Sequence, residues 1–371
     1  MKLKRALAWT AAAVPIVLLV AFLVAYLRST NACANPQKAA PRESVRAIVY
    51  CDYGSPDVLR LEDVEKPVPA DDQILVKVHA AAANPLDWHF IRGTPYVMRF
   101  MAGLRKPKEL RVGVDYSGTV QAVGRNVGRF APGDEVFGAR TGAFGEYVVA
   151  RAEGTVARKP ANLTFEQAAA VPVAALTSYQ GLRHGDVGPG DRILINGASG
   201  GVGTFMVQLA KLMGAHVTGV CSARNVELVR SLGADRVIDY TKQNYTELGE
   251  RYDVIIDNVG NHGFLANRRA LKPGGQYIQI GGGGPDDGKW IGALKSPIKS
   301  MVLSPFISQE MGVLFSEGNS ADLAEIGELL QAGKLRPVID RRYALHEVPE
   351  AIRYLETGRA RGKVIIAIQP E

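Results

Sequence analysis

The residues with the clearest chemical purpose form a glycine-rich loop between a strand and a helix. An apolar strand, Arg192–Asn196, runs into this loop, and an amphipathic helix follows it. A pyrophosphate reaches the free N–H groups at a helix N-terminus only where side chains leave room, which is why glycine is needed there. A tight turn that binds nothing is the alternative, but the strand and helix on either side favour a dinucleotide site. The cofactor-binding candidates are Ala198, Ser199, Gly200, Gly201, Val202 and Gly203.

The end of the next predicted strand indicates which nicotinamide coenzyme the loop serves. An NAD site usually places Asp or Glu about 20 residues after the loop, on the ribose hydroxyls. Here no acid occurs before Glu227, and Ser222 and Arg224 offer a hydroxyl and a guanidinium instead. These groups suit the 2′-phosphate of NADPH, so NADPH (NADP) is the expected cofactor. A solvated surface arginine at position 224 is the alternative interpretation.

Two kinds of element must position these residues. From Thr164, which has Gln167 at capping-box spacing, strands and helices alternate, as in a doubly wound parallel sheet. Before that point, short β-type runs are separated by turns such as Pro132-Gly133-Asp134. The sequence therefore predicts an α/β fold with a β-rich domain at 46–160, to which 333–371 return, and a cofactor domain at 161–332.

Composition and charge narrow the class of protein. The chain has 371 residues, of which 47% are hydrophobic and 22% charged, as in a folded protein. Most of the net charge of +7 lies before residue 47, so the nearly neutral body gives no support for nucleic-acid binding. Cys33, Cys51 and Cys221 are widely separated, so neither a disulfide framework nor a four-cysteine zinc lobe is expected.

The N-terminus has the pattern of a membrane anchor. The uncharged stretch 6–27 would be about 33 Å long as a helix, enough to cross a hydrocarbon layer of ~30 Å. A cleaved signal peptide is the alternative, with Ala32-Cys33-Ala34 as its small-residue site, but the apolar run is longer than usual for one. The expected location is therefore the membrane, through a single-pass anchor at 6–27 and a linker at 28–45. The charges on the two sides do not decide its orientation.

Several motifs together resemble those of a known enzyme family. From about residue 46 onwards the chain is similar to the medium-chain dehydrogenase/reductase superfamily, in its zinc-independent quinone oxidoreductase and enoyl reductase branch. The landmarks are Asn84-Pro85-Leu86-Asp87, Gly113–Gly118, Pro132–Val136, the Ala198–Gly203 loop and Leu232-Gly233-Ala234-Asp235.

The resemblance implies a groES-like catalytic domain, a Rossmann NADPH-binding domain and a nicotinamide in the cleft between them. Zinc-dependent relatives have ligands where this chain has Asn84 and Val114, and 174–178 contain no cysteine, so no metal is expected. For Lys363, a surface position is as good an interpretation as a contact with cofactor or substrate. The further cofactor candidates that the resemblance implies are Thr177, Tyr240, Asn258, Gly281 and Lys363.

Without a metal, other groups must stabilise the charge that hydride transfer creates on the acceptor. By resemblance, Tyr96 is the candidate proton donor, with a role as aromatic pocket lining as its alternative. Asn84 is the candidate contact to substrate or nicotinamide. Residues 94–112 are interpreted as a cap over the cleft, as a surface that rests on lipid, or as a plain packed loop.

The sequence thus predicts a membrane-anchored, NADPH-dependent, zinc-independent oxidoreductase that transfers a hydride to an activated C=C or carbonyl of a quinone, enone or enal. The alternatives are an alcohol dehydrogenase-type activity and a non-catalytic, membrane-tethered NADPH-binding protein. Because the NADPH pool is intracellular, the catalytic body is placed on the cytoplasmic side. The expected partners are a small-molecule substrate, the membrane and a second copy in a homodimer, with no nucleic acid.

Overall fold

The computed structural model describes residues 23–24, 26–27, 29–30, 33, 43–282, 284, 290 and 308–369. Its strands, in chain order, are β1 (Ser44–Val49), β2 (Arg60–Glu65), β3 (Gln73–Ala83), β4 (Asp115–Val123), β5 (Glu135–Ala139), β6 (Tyr147–Arg151), β7 (Val156–Arg158), β8 (Arg192–Asn196), β9 (His216–Cys221), β10 (Arg236–Asp239), β11 (Tyr252–Asp257), β12 (Leu271–Gln279), β13 (Glu310–Val313), β14 (Ile339–Ala344) and β15 (Lys363–Ala367).

The α-helices of the described residues connect these strands or cover the sheets. They are α1 (Pro85–Arg92), α2 (Arg99–Ala102), α3 (Phe165–Ala169), α4 (Pro172–His184), α5 (Gly201–Leu212), α6 (Val226–Ser231), α7 (Phe264–Arg269), α8 (Ser320–Gln331) and α9 (Val348–Glu356). The predicted capping box before α3 is confirmed, because Thr164 Oγ1 accepts from Gln167 N at 3.2 Å and Gln167 Oε1 accepts from Thr164 N at 3.0 Å.

One sheet holds five of the seven strands that precede residue 160, together with β14 and β15. Its order is β14-β15-β3-β4-β5-β7, and β6 also pairs with β3. The long strand β3 lies at its centre and pairs antiparallel with β4, β6 and β15. Its alanines leave room for α3, since Ala80 and Ala82 pack on Ala169 and Ala170. Strands β1 and β2 form a separate antiparallel pair.

The second sheet is parallel throughout, in the order β10-β9-β8-β11-β12-β13. The doubly wound sheet that the sequence predicted is confirmed. Ile193, Leu194 and Ile195 of the central strand β8 are fully buried, as expected for a strand covered by helices on both faces. The strand order reverses at β8, and in such sheets ligands bind at the carboxyl ends beside the reversal.

The two sheets meet at this same edge. Gly200, which precedes α5, bridges in parallel to Gly362, and Gly362 N donates to Ser199 O at 2.9 Å. Within the first sheet, the register places Val364 opposite Ala83 and Ala82 opposite Asp115. The ends of β3, β4 and β15 therefore lie side by side next to the glycine-rich loop.

The N-terminal prediction requires correction. Most of the predicted anchor at 6–27 and of the linker at 28–45 lies outside the described residues. Within the described part of the chain, no helix has the length of about 20 apolar residues that a membrane crossing needs. On this finding, the predicted membrane location, with a single-pass anchor and a cytoplasmic body, is wrong.

The cysteines form one covalent link that spacing alone did not indicate. Cys33 and Cys51 are joined by a disulfide, with their Cα atoms 5.9 Å apart, while Cys221 is free and buried. The partners are 18 residues apart in sequence, and Cys51 lies shortly after the end of β1. The disulfide therefore ties residue 33 to the segment that follows the β1–β2 pair's first strand.

Candidate functional site

The glycine-rich loop has the geometry of a phosphate cradle. A Cβ at Gly203 would lie 2.2 Å from Gly197 O, so this glycine is needed for the helix to pack on the strand. A Cβ at Gly200, the residue before α5, would meet nothing nearer than Gly197 O at 3.5 Å. Internal packing thus requires glycine at 203 but not at 200. The open space at Gly200 fits an anion that approaches the N-terminus of α5.

The end of β9 brings together the residues expected near a 2′-phosphate. Ser222 starts a short turn, Arg224 is exposed, and the side chain of Tyr240 is also exposed. The guanidinium of Arg224 donates to Arg359 O at 2.6 Å, so it lies against the loop before β15. The sequence did not predict Asn225, which is buried and donates to Ser199 Oγ at 2.9 Å and to Ser222 Oγ at 3.3 Å. It links the cradle to the turn.

Buried acceptors without a donor lie at the carboxyl ends of β11 and β12. Asn258 Nδ2 donates to Asn196 O at 3.0 Å, but its Oδ1 has no partner among the described residues. Gln279 donates to Gly281 O at 3.1 Å, and within the same part of the chain its Oε1 is also unpartnered. Buried polar atoms are normally hydrogen-bonded, so both oxygens fit the hydroxyl or amide donors of a bound nucleotide. Gln279 was missed because a glutamine inside a strand has no sequence signature.

The remaining cofactor candidates border the same crevice. Thr177 is buried on α4, and Ser178 beside it donates to Val202 O at 2.8 Å, which fixes α4 to the start of α5. A Cβ at Gly281 would lie 2.5 Å from Asn258 O, so glycine is needed there. The open cradle and the unpartnered oxygens together fit a nicotinamide dinucleotide.

A buried charged cluster lies next to the cradle. Lys363 Nζ donates to Asn84 Oδ1 at 2.6 Å and to Asp115 Oδ2 at 2.9 Å. Asn84 Nδ2 donates to the same Asp115 oxygen at 3.0 Å. A Cβ at Gly201 would lie 3.0 Å from Lys363 Cδ, so the cluster and the loop share one cleft. The surface position considered for Lys363 is wrong, because its side chain is only 3% exposed.

Asp87 adds a second carboxyl group to this region. Its Oδ2 accepts from Asn84 N at 2.7 Å, which caps α1. Burial raises the pKa of Asp87 to about 7, and the nearby Asp115 adds to the increase. In the described part of the chain, no group of three or more His, Cys, Asp and Glu is arranged to hold a metal ion.

The structure places Tyr96 in the 94–112 segment and outside the charged cluster. It begins a short turn that leads into α2, and its ring makes an edge contact with Trp290 at 5.4 Å. The guanidinium of Arg99 lies between two rings, 4.5 Å from that of Tyr96 and 4.4 Å from that of Tyr53. Phe100 and Met101 are largely exposed. This part of the 94–112 segment is thus held by aromatic and cationic contacts and has exposed apolar side chains.

Comparisons with known proteins agree with this architecture. Residues 70–161 match the family described as alcohol dehydrogenase GroES-like domain, and residues 232–366 match the one described as zinc-binding dehydrogenase. The 2-methylene-furan-3-one reductase of Solanum lycopersicum is 36% identical over 337 residues, which cover 87% of this chain and 79% of that protein. The chloroplastic NADPH-dependent alkenal/one oxidoreductase of Arabidopsis thaliana is 34% identical, with 91% of this chain and 84% of that protein covered. The quinone oxidoreductase structure from Coxiella burnetii superposes with a TM-score of 0.77 at 30% identity, over 88% of this chain and 100% of that one.

The fold and the cleft define an NAD(P)H-dependent oxidoreductase built from a GroES-like and a Rossmann-type unit. The chain belongs to the medium-chain dehydrogenase/reductase superfamily, in its zinc-independent branch of quinone oxidoreductases and enoyl reductases. The predicted family and the prediction of an enzyme are both confirmed.

Proposed function

We propose that this enzyme uses NADPH to reduce the activated C=C bond of a small quinone, enone or enal. The observation that carries the proposal is the shared cleft. The open phosphate cradle at Gly200 lies directly beside the buried Lys363–Asn84–Asp115 cluster. The names of the tomato and Arabidopsis relatives, which describe reductases of conjugated carbonyl compounds, support the choice of acceptor.

The chain's own residues have separate roles in this proposal. When bound, the coenzyme supplies the hydride. The N-terminus of α5, from Gly200 to Gly203, binds the diphosphate, and Thr177, Asn258 and Gly281 line the cleft. The Tyr96 hydroxyl delivers the proton that the acceptor needs after hydride addition.

An acceptor panel tests this function. The purified protein is mixed with NADPH and a quinone, a 2-enal or an enone, and coenzyme oxidation is followed by absorbance while products are identified by mass spectrometry. The matched saturated aldehyde and ketone serve as controls. We expect saturated products from the enal or enone and no turnover of the controls. Oxidation of alcohols with NADP, without reduction of any conjugated acceptor, would contradict the proposal.

Arg224→Ala tests the preference for NADPH. The exposed guanidinium, together with Ser222 and Tyr240, provides donors for a 2′-phosphate. Charge-assisted hydrogen bonds contribute about 1.5–3 kcal/mol, so the dissociation constant for NADPH should rise roughly 10- to 150-fold. The constant for NADH should barely change.

Arg230→Ala is the matched control, because this arginine is exposed on α6 and pairs with Glu227. Its NADPH affinity should equal that of the wild type. Equal losses of NADPH and NADH affinity in Arg224→Ala would assign Arg224 a structural role.

A further inference from the structure

The side-chain amide of Asn84 has no donor left for a ligand. Its two N–H groups point to Asp115 Oδ2 at 3.0 Å and Ala82 O at 3.3 Å. Its oxygen accepts from Lys363 at 2.6 Å. A lysine ammonium has three N–H donors, and two of those of Lys363 are used by Asn84 and Asp115. The third has no acceptor within the described residues, so Lys363 is the cluster member with a donor to offer.

Asp115 holds this arrangement together from a fully buried position. Its Oδ2 accepts from both Asn84 and Lys363. Its Oδ1 accepts from Val173 N at 3.0 Å, at the start of α4, the helix that carries Thr177. One carboxylate therefore connects the ends of β4 and β15, the cap of α1 and a helix that packs against the cofactor sheet. Its exposed fraction is 0%, so water does not compete for these bonds.

The position of the Lys363 ammonium indicates which part of the coenzyme it would contact. The Lys363 side chain passes the first turn of α5, since a Cβ at Gly201 would lie 3.0 Å from its Cδ. The diphosphate is expected at that turn, and the nicotinamide is expected near Thr177 on α4. A group between the two lies beside the ribose and phosphate oxygens of the nicotinamide half of the coenzyme. Arg224, at the end of β9, is expected to contact the other half of the coenzyme, at the 2′-phosphate.

We propose that Asp115 is a positioning residue for coenzyme binding: it holds Lys363 so that its free N–H donates to an oxygen of the nicotinamide ribose–phosphate half. This inference rests on the proposed use of NADPH and concerns binding alone. No proton is transferred. Asn84 is then a second residue that positions Lys363, through the hydrogen bond to its Oδ1, and does not donate a hydrogen bond to the hydride acceptor.

Two ligands separate this role from general stability. NADPH contains the nicotinamide half, whereas adenosine 2′,5′-bisphosphate contains only the adenosine half. We expect Lys363→Met to raise the dissociation constant of NADPH at least tenfold in fluorescence titrations. The constant for adenosine 2′,5′-bisphosphate, measured by calorimetry, should stay within twofold of wild type. Arg224→Ala should weaken the binding of both ligands, because both carry the 2′-phosphate. It therefore serves as the control for a loss on the adenosine side.

Asp115→Asn should show the same selective loss, but it leaves the buried Lys363 charge without its partner and can fail to fold. The double variant Asp115→Asn/Lys363→Met removes both charges, so it leaves no unpaired buried charge and can be measured even if Asp115→Asn does not fold. Since both residues act through one contact, the double variant should bind NADPH no more weakly than Lys363→Met alone.

Glu356→Gln is a matched structural control, because Glu356 forms a partly buried pair with Arg92 in the same sheet domain. It should not alter the ratio of the two affinities. Equal weakening of both ligands by Lys363→Met, or no weakening of NADPH, would overturn the inference. A wild type that binds NADPH and reduces no acceptor would refute the proposed function but leave this inference standing.

Discussion

At the scale of single residues, Asp87 shows how burial changes an ordinary side chain. Its carboxyl is buried at the start of α1, where desolvation and the neighbouring Asp115 raise its pKa from 3.8 to about 7. The backbone hydrogen bond from Asn84 opposes this increase without cancelling it. The native state therefore binds the Asp87 proton more tightly than the unfolded chain does.

This difference predicts a pH-dependent stability that Asp87→Asn removes. Because the folded-state pKa is raised, the contribution of Asp87 to stability is fully present below pH ~4 and is lost as the pH rises through about 7. Between these values the free energy of unfolding of the wild type should fall relative to the variant by up to ~1.4 kcal/mol per pH unit. Urea unfolding of both proteins at pH 5, 6, 7 and 8 measures it. A constant difference over that range would show that Asp87 keeps its ordinary pKa.

Tyr96 supplies a second prediction at this scale. Tyr96→Phe keeps the ring that contacts Trp290 and Arg99 but removes the hydroxyl. If the phenol delivers the proton, kcat should fall by ~10²-fold or more while the NADPH dissociation constant stays the same. Steady-state kinetics with the best acceptor of the panel gives the answer. An unchanged kcat would leave Tyr96 as pocket lining.

Individual site residues differ in how far the sequence reveals them. Gly200 and Gly203 follow from local rules, because the loop, strand and helix that define them are contiguous. The contact between Lys363 and Asp115 could not be predicted, since it depends on the register of β15 against β3 and of β3 against β4. Asn225 and Gln279 have no local signature, and only burial shows that their side-chain oxygens lack a partner among the described residues.

At the scale of elements, two glycines at the junction of β8 and α5 have different roles: Gly200 leaves room for a ligand, and Gly203 is needed for packing. Gly200→Ala places a methyl group in open space, so the melting temperature should change little, while loss of phosphate contacts should weaken NADPH at least ~10-fold. Gly203→Ala instead drives a methyl group into Gly197 O and should cost roughly 1–3 kcal/mol of stability. Thermal unfolding and NADPH titration of both variants test the distinction. A large drop in melting temperature for Gly200→Ala would mean that its glycine is structural.

The regular elements of the cofactor sheet were the most predictable. The predicted bounds of β8 agree with the structure, because this strand is an apolar run between clear turns. Helix α1 was not predicted, although the Asn84–Asp87 motif was singled out. In sequence Asn84-Pro85 is typical of a turn, and only the structure shows that Asn84 is the N-cap of a helix. Strands β5, β7 and β13 were also missed. They have three to five residues each and depend on neighbouring strands for their hydrogen bonds.

At the scale of the whole molecule, the disulfide predicts a pattern of thiol reactivity. Cys221 is buried and its pKa is raised to about 11, so the native oxidised protein should show no reactive thiol. Unfolding without a reductant should expose one thiol, and unfolding after reduction should expose three. Maleimide labelling followed by intact mass spectrometry counts them. Three labels without a reductant would show that Cys33 and Cys51 are not joined.

The pairing of β15 with β3 has a consequence for how the protein is made. Lys363 follows Asp115 by 248 residues, so the charged cluster cannot close until the last strand has been synthesised. At roughly 5–20 residues per second, a ribosome needs about 12–50 s to add that stretch. The parallel sheet, from β8 to β13, leaves the ribosome earlier and can fold first. Until β15 emerges, the Ala80–Ala83 end of β3 lacks its partner strand on one edge, and this part of the nascent chain is where chaperones would have the most to protect.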